Sequence, residues 1–309
     1  MSEQPLCGVT AFVTGASRGI GLAIALRLAR AGANIAIAAK TVLPDPRLPG
    51  TIDTAARAVE EAGGRALPIR LDVRDADAIA EAVARTAARF GGIDMLINNA
   101  GAIHLGPLEH TLPKRIDLVW SINARATLLA ARACLPWLRR SANPHVLNIC
   151  PPLNLDPQWL AGRVAYAVSK YAMSLVTSGL AAEWADEGIA VNALWPKTAI
   201  ATAAVRNLLG GEKAIEHCRI PEIMADAAFT ILTRPSREAS GRFFIDEDVL
   251  RSTGVADFDR YAVRSGVELL PDFFVGEPPE VERWRRILGA AVDSFHLTEK
   301  HARPADGPS

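Results

Sequence analysis

The sequence predicts an α/β fold, a doubly wound parallel seven-stranded sheet with helices on both faces, and three observations carry that expectation. Short runs rich in apolar and β-branched residues alternate with longer segments of helical period, the pattern of β-α-β units. The first run leads directly into a glycine-rich stretch, TGASRGIG at residues 14–21, that opens a helical segment. Glycines in AGANI and AGGRA punctuate the ends of the first two helical segments.

Taken in order, strands are expected at VTAFVTG (9–15), ANIAIAAK (33–40), ALPIRLDV (66–73), IDMLINNAG (93–101), HVLNIC (145–150), IAVNALW (189–195) and GRFFIDED (241–248). Helices are expected to begin near Arg18, Thr51, Asp77, Pro113 and Trp159. A main domain over 1–250 is expected to contain the whole site. Beyond it lies a Pro- and Gly-punctuated extension packed on that domain (251–292), including one short helix near 279–292, and then a disordered polar tail (293–309).

Composition narrows the possible functions. With 309 residues, half of them hydrophobic, the chain can bury one large core. Basic and acidic residues balance at 34 each, so no charge excess marks a nucleic-acid or anionic-membrane partner. Cys7, Cys134, Cys150 and Cys218 lack C-x-x-C spacing and the histidines show no ligand pattern, so no metal is expected and the compartment reads as reducing. No signal-like N-terminus or long apolar run appears, and DGPS is not a peroxisomal address. The expectation is a soluble cytoplasmic protein without integral membrane contact.

The turn at 14–21 carries glycines at 15, 19 and 21, where a backbone must turn tightly and admit a pyrophosphate to a helix N-terminus. Ser17, Arg18 and Ile20 belong to the same stretch. Eighteen residues past Gly21, where an NAD site would place an acid for the ribose hydroxyl, stand Ala39 and Lys40. A cation there favours NADP, and Arg18 would assist it; the other reading of Lys40 is a solvated strand-end lysine. Asp72, followed by Val73, suits an adenine amino group, although an aspartate capping the next helix would look identical.

Tyr166 and Lys170 of YAVSK stand at i and i+4, on one face of a helix after the fifth strand. A neighbouring ammonium would stabilise the phenolate and lower the tyrosine pKa. Together with LDV, NNAG (98–101), SIN with Asn123, and VNALWP (191–196), these motifs resemble the short-chain dehydrogenase/reductase family over roughly residues 8–250. The resemblance implies an NADP-dependent oxidoreductase acting on an alcohol or carbonyl. Tyr166 would be the acid/base, Lys170 would hold the nicotinamide ribose, Asn123 would keep a relay water, and Asn99, Ala100 and Gly101 would line the cofactor. Thr198 is a further expected contact.

A narrower resemblance, in CPPLNL, LWPKTAI, DRYAV and LPDFF among other segments, is to one subgroup whose substrate is open and whose animal members continue into a sterol-carrier domain. The expectation here is a stand-alone form. Relatives assemble through the helices at 113–139 and 160–185, which implies a homo-oligomer, dimer or tetramer.

Two departures from the family pattern stand out. Pro196 is followed by Lys197 rather than glycine, leaving Lys197 open between a phosphate-reaching role and solvent. The family's substrate-polarising serine is missing: no Ser or Thr occurs between His145 and Tyr166, and CPPLN (150–154) stands at the strand end. Cys150 reads as core, and Asn154 is the best substitute donor, against the alternative of a turn residue bonding its own backbone. Leu153, Leu155, Trp159, Leu160, Trp195, Ile200, Val205 and Leu208 together suggest a bulky hydrophobic small-molecule substrate, fatty, isoprenoid or steroid-like. The alternative is a catalytically weak NADP(H)-binding redox sensor acting through a protein partner.

Overall fold

The computed structural model describes residues 4–276 and 280–289 of the 309-residue chain. Its centre is a sheet of seven parallel strands: β1 (Thr10–Thr14), β2 (Asn34–Ala39), β3 (Arg65–Arg70), β4 (Met95–Asn98), β5 (His145–Asn148), β6 (Ala190–Trp195) and β7 (Phe243–Ile245). They run in the order β3-β2-β1-β4-β5-β6-β7, so the winding reverses between β1 and β4. Ligands of doubly wound sheets bind outside the strand C-termini at that crevice.

Burial explains the strand composition. Every residue of β1, β2, β4, β5 and β6 is buried, whereas the edge strand β3 exposes its ends and tolerates Pro68, whose missing N–H a central strand would need.

The helices are α1 (Gly19–Arg30), α2 (Ile52–Glu61), α3 (Ala76–Phe90), α4 (Pro113–Val119), α5 (Ala126–Leu138), α6 (Pro157–Leu160), α7 (Val164–Glu183), α8 (Ala203–Leu208), α9 (Gly211–Glu216), α10 (Glu222–Leu232), α11 (Asp246–Ser252) and α12 (Glu280–Leu288). Thr51 and Thr54 form a reciprocal capping box on α2, and Asp75 caps α3 through the N–H groups of Asp77 and Ala78. One core lies under α1 and α10 and continues into the C-terminal segment. The other lies under α3 and α5. Between α4 and α5, residues Trp120–Arg125 form a π-helical turn, a widened coil that often marks functional sites.

Three expectations needed correction. The helix expected from Trp159 is two pieces, because Gly162 at φ 72° breaks the chain between α6 and α7. The last strand stops at Ile245, since Asp246, Glu247 and Asp248 instead start α11, where acids favour a helix N-terminus. Helices α8, α9 and α10 fill a stretch for which the sequence offered only candidate pocket residues. The helix expected near 279–292 is α12, and the polar tail at 293–309 lies outside the described residues. Among the described residues no helix is long and apolar enough to cross a membrane, and no metal-ligand cluster of three His, Cys, Asp or Glu side chains occurs.

Candidate active site

A single cleft of about 1090 Å³ runs along the C-terminal ends of the strands, with room for a dinucleotide and a small molecule. At one end it is lined by Gly15, Ser17, Arg18, Gly19 and Ile20 of the glycine turn. Gly15 and Gly19 take φ of +68° and +58°, the left-handed region that suits glycine. Gly21 lies behind the cleft and is required for a different reason. A Cβ there would stand 2.4 Å from the Asn99 amide nitrogen and 2.8 Å from the Gly15 carbonyl. Asn99 needs that space, because its amide donates to the carbonyls of Thr14 (2.9 Å) and Gly15 (3.2 Å) and so ties β4 to the turn. The N-terminus of α1 has no side-chain cap and no acid in its first turn, leaving its N–H groups for an anion.

Lys40, Asp72 and Val73 line the same end, as does Arg74, which the sequence reading missed. The Arg74 guanidinium holds the Asp72 carboxyl down at about 2, with Nε donating to Oδ1 at 2.9 Å. Asp72 is therefore a permanently charged partner of Arg74, and the helix cap is Asp75 instead. Arg18 is committed to the neighbouring loop, donating to the carbonyls of Pro49 (3.1 Å) and Gly50 (2.7 Å).

Ala100 and Gly101 carry the lining past β4 to Tyr166 and Lys170, which share the far end of the cleft. Both are almost wholly shielded, at 3% and 5% exposure. The Lys170 ammonium donates to the Ile149 carbonyl at 2.9 Å and sits 5.3 Å above the Trp195 ring, and burial pushes its pKa down to about 8. Here the expectation of a lowered tyrosine pKa fails. Burial above all pushes the Tyr166 phenol well above its usual range. Its hydroxyl is a firmly protonated donor.

Asn123, in the π-helical turn, does not line the cleft. Its amide donates to the Ala102 carbonyl (3.0 Å) and Ser169 Oγ (2.9 Å), and its Oδ1 accepts the Ala102 N–H (2.8 Å). Every polar atom of the side chain is spent clamping the loop after β4 to α7.

The residues of CPPLN settle differently from one another. Cys150 is fully buried against Thr177, and burial pushes its thiol up. Pro151 is pinned through its carbonyl by Ser174 Oγ at 2.7 Å. Asn154 does not line the cleft: its Oδ1 accepts the Asp156 N–H at 3.1 Å, while its carbonyl takes the Tyr171 hydroxyl. The turn role has claimed the residue expected to replace the serine. Leu153 and Leu155 are exposed and Trp159 is buried in the core, so of the expected lining only Trp195, Ile200, Val205 and Leu208 reach the cleft. Thr198 and Lys197 line a separate, smaller cavity, and the Lys197 ammonium is spent on Glu247 at 2.8 Å.

What closes the far end comes from a distant part of the chain. Asp272 and Phe273 line the cleft beside Tyr166. Phe274 packs within 6.3 Å, ring to ring, of Trp159, Tyr166, Tyr171 and Trp195, and holds a φ of +70° to do so. Phe273 stacks on Trp284 at 5.3 Å.

Compared with known proteins, residues 9–212 match the short chain dehydrogenase family model. The chain belongs to the short chain dehydrogenase family. Hydroxysteroid dehydrogenase-like protein 2 of Xenopus laevis is 50% identical over 301 residues, covering 97% of this chain and 72% of that protein. A short chain dehydrogenase of Mycobacterium thermoresistibile superposes with a TM-score of 0.83 at 50% identity, covering 88% of this chain and 96% of that one. A metagenomic short-chain oxidoreductase in complex with NADP superposes with a TM-score of 0.65 at 27% identity, over 78% of this chain and 97% of that one. The family binds a nicotinamide cofactor, and this short chain dehydrogenase retains the glycine turn, the open helix end and the long cleft that such a group needs.

Proposed function

We propose that the protein is an NADP(H)-dependent oxidoreductase that interconverts an alcohol and a carbonyl on a bulky hydrophobic substrate, with Tyr166 as the acid/base. The observation that carries this reading is the convergence of the glycine turn with a buried, protonated Tyr166 and its partner Lys170 in one cleft. Bound there, the cofactor would supply or accept the hydride at the substrate carbon. The chain's own task is the proton: the Tyr166 hydroxyl donates it to the forming alcohol oxygen, and Lys170 supplies positive charge in the same cleft as the phenolate forms.

The adenosine end supports NADP over NAD. Lys40 and Arg74 line it, Ala39 stands where an acid would repel a 2′-phosphate, and the acid that is present, Asp72, is already paired with Arg74. The apolar lining of the cleft includes Trp195, Ile200, Val205, Leu208 and Phe273, which favours an apolar substrate over a sugar. The main domain over 1–250, with the C-terminal extension closing its site, and self-association through the exposed apolar residues Leu112, Ile116 and Trp120 on and flanking α4 with Val168 and Leu175 of α7, belong to the same reading.

The test is a pair of titrations of the purified protein with NADPH and NADH by intrinsic fluorescence, followed by turnover with NADPH and a panel of hydrophobic ketones. NADPH binding at least about tenfold tighter than NADH, and lost margin in Lys40→Ala, is the expected result. Equal affinities remove the argument from Lys40, and binding without turnover of any ketone favours the sensor alternative.

A further inference from the structure

The cleft holds a carboxyl that the mechanism above does not use. Asp272 lies more than a hundred residues from Tyr166 in sequence, yet the fold builds it into the same wall. Its backbone is fastened on two sides: the Asp272 N–H donates to the Lys197 carbonyl at 3.1 Å, and Ala199 N–H donates to the Leu270 carbonyl at 2.8 Å. Thr198 and Pro271 form an antiparallel bridge between those two bonds. Trp195 Nε1 holds the next residue through the Phe273 carbonyl at 2.8 Å. Within the side chain, Oδ1 accepts the Phe273 N–H at 2.7 Å, and Oδ2 makes no hydrogen bond to any described residue. The result is a carboxyl fixed at one oxygen and available at the other, in a cleft shared with Tyr166 and Lys170.

We propose that Asp272 is a further catalytic residue, whose carboxylic acid donates the second hydrogen bond to the substrate oxygen that Tyr166 protonates, in place of the hydroxyl absent from 145–166. The inference rests on Tyr166 being the acid. No Ser or Thr is offered by the strand end, Pro152 has no N–H, and Asn154 does not line the cleft, so the second donor has to come from another wall. Burial, with the Asp246 charge adding to it and the Phe273 N–H and Lys170 ammonium opposing it, pushes the Asp272 carboxyl up to about 7, so it is mostly protonated below neutrality. A neutral carboxyl in an apolar wall is an efficient donor to a developing alkoxide, whereas an ionised one repels it. Reduction is therefore expected to fall as the pH rises through about 7.

The experiment has two arms. In the first, infrared spectra of the cofactor-free protein are recorded across pH. The wild type should show a protonated-carboxyl band that fades through about 7 and is missing in Asp272→Asn. Absence of any such difference band overturns the proposal without touching the assignment of Tyr166. In the second, kcat is measured with NADPH and menthone. Asp272→Ala should lose about 10² in kcat with NADPH affinity unchanged, while Asp272→Asn, which keeps an N–H donor, should retain most of the rate and lose the fall near neutral pH. An undiminished rate in Asp272→Ala, or a fall with pH that survives in Asp272→Asn, overturns the proposal. Loss of turnover in Tyr166→Phe alongside a fully active Asp272→Ala would leave the Tyr166 reading standing alone.

Discussion

The two ends of the cleft are built in opposite ways. The cofactor end is made of short contiguous stretches, TGASRGIG, LDVR and NNAG, whose backbone groups and glycines do the work, and its charged side chains are exposed or paired with near neighbours such as Asp72 and Arg74. The substrate end is assembled from single side chains at 166, 170, 195, 272 and 273, of which Tyr166, Lys170, Trp195 and Phe273 are buried, and its charges are shifted mainly by burial. A dinucleotide is recognised by backbone shape and a phosphate cradle, which local sequence dictates. A hydrophobic substrate is recognised by a desolvated wall, which only the tertiary fold can assemble.

The sharpest way to break this contrast is at Phe274, where five aromatic rings from four parts of the chain meet. Phe274→Ala should cost about 3–5 kcal/mol of unfolding free energy by denaturant titration, because the void cannot collapse among rigid rings. Glycine turn geometry should survive it, so NADPH binding in the folded fraction should be largely retained.

At the other end, Lys40→Ala should weaken NADPH by about tenfold, or ~1.4 kcal/mol, and leave NADH unchanged. That change should shrink with added salt, since Lys40 is exposed. Fluorescence titration at two salt concentrations checks both points.

The buried acid gives a third effect, on stability. The folded Asp272 pKa of about 7 lies above the ordinary 3.8, so between those values the folded state binds the proton more tightly and stability falls as pH rises. The penalty is fully present above about 7, and Asp272→Asn removes it. Its thermal midpoint should therefore exceed the wild type's at alkaline pH and match it at acid pH, a gain on the order of 1 kcal/mol because Asp272 is only half-buried. A constant offset across pH would mean that the carboxyl is not buried as described.

The smallest effect belongs to Asn154. With its amide oxygen held by the Asp156 N–H, Asn154→Ala should change kcat less than about twofold and stability by about 0.5 kcal/mol, measured by steady-state kinetics and thermal melting.

These contrasts explain what the sequence made legible. The seven strands, the glycine turn, Lys40 and the Tyr166–Lys170 pair were readable because each is set by spacing along a few residues. Arg74 was missed because an arginine two residues after an aspartate looks like any solvated charge until both line one cleft. Asn154 reads alike in sequence as a turn amide and as a catalytic amide, and the structure gives its Oδ1 the Asp156 N–H and leaves it out of the cleft lining. Asp272 and Phe274 sit in LPDFF, a stretch without periodicity, and their role is created by bridges to Lys197 and Thr198 that no local pattern announces. The missing serine at the end of β5 is explained in the same terms. At CPPLN the chain sends Cys150 into the core and Pro151 onto α7, and the fold brings other groups to the site.

The central claim is that one cleft holds a cofactor end and a proton-donating Tyr166 that act together but can be separated. The most direct measurement is NADPH affinity and turnover of a hydrophobic ketone on the same preparations of wild type and Tyr166→Phe. The account predicts an NADPH Kd within about twofold of wild type and a turnover lowered by 10² or more, about the value of one positioned acid. A Tyr166→Phe protein that binds NADPH normally and still keeps a tenth or so of the wild-type rate would contradict it.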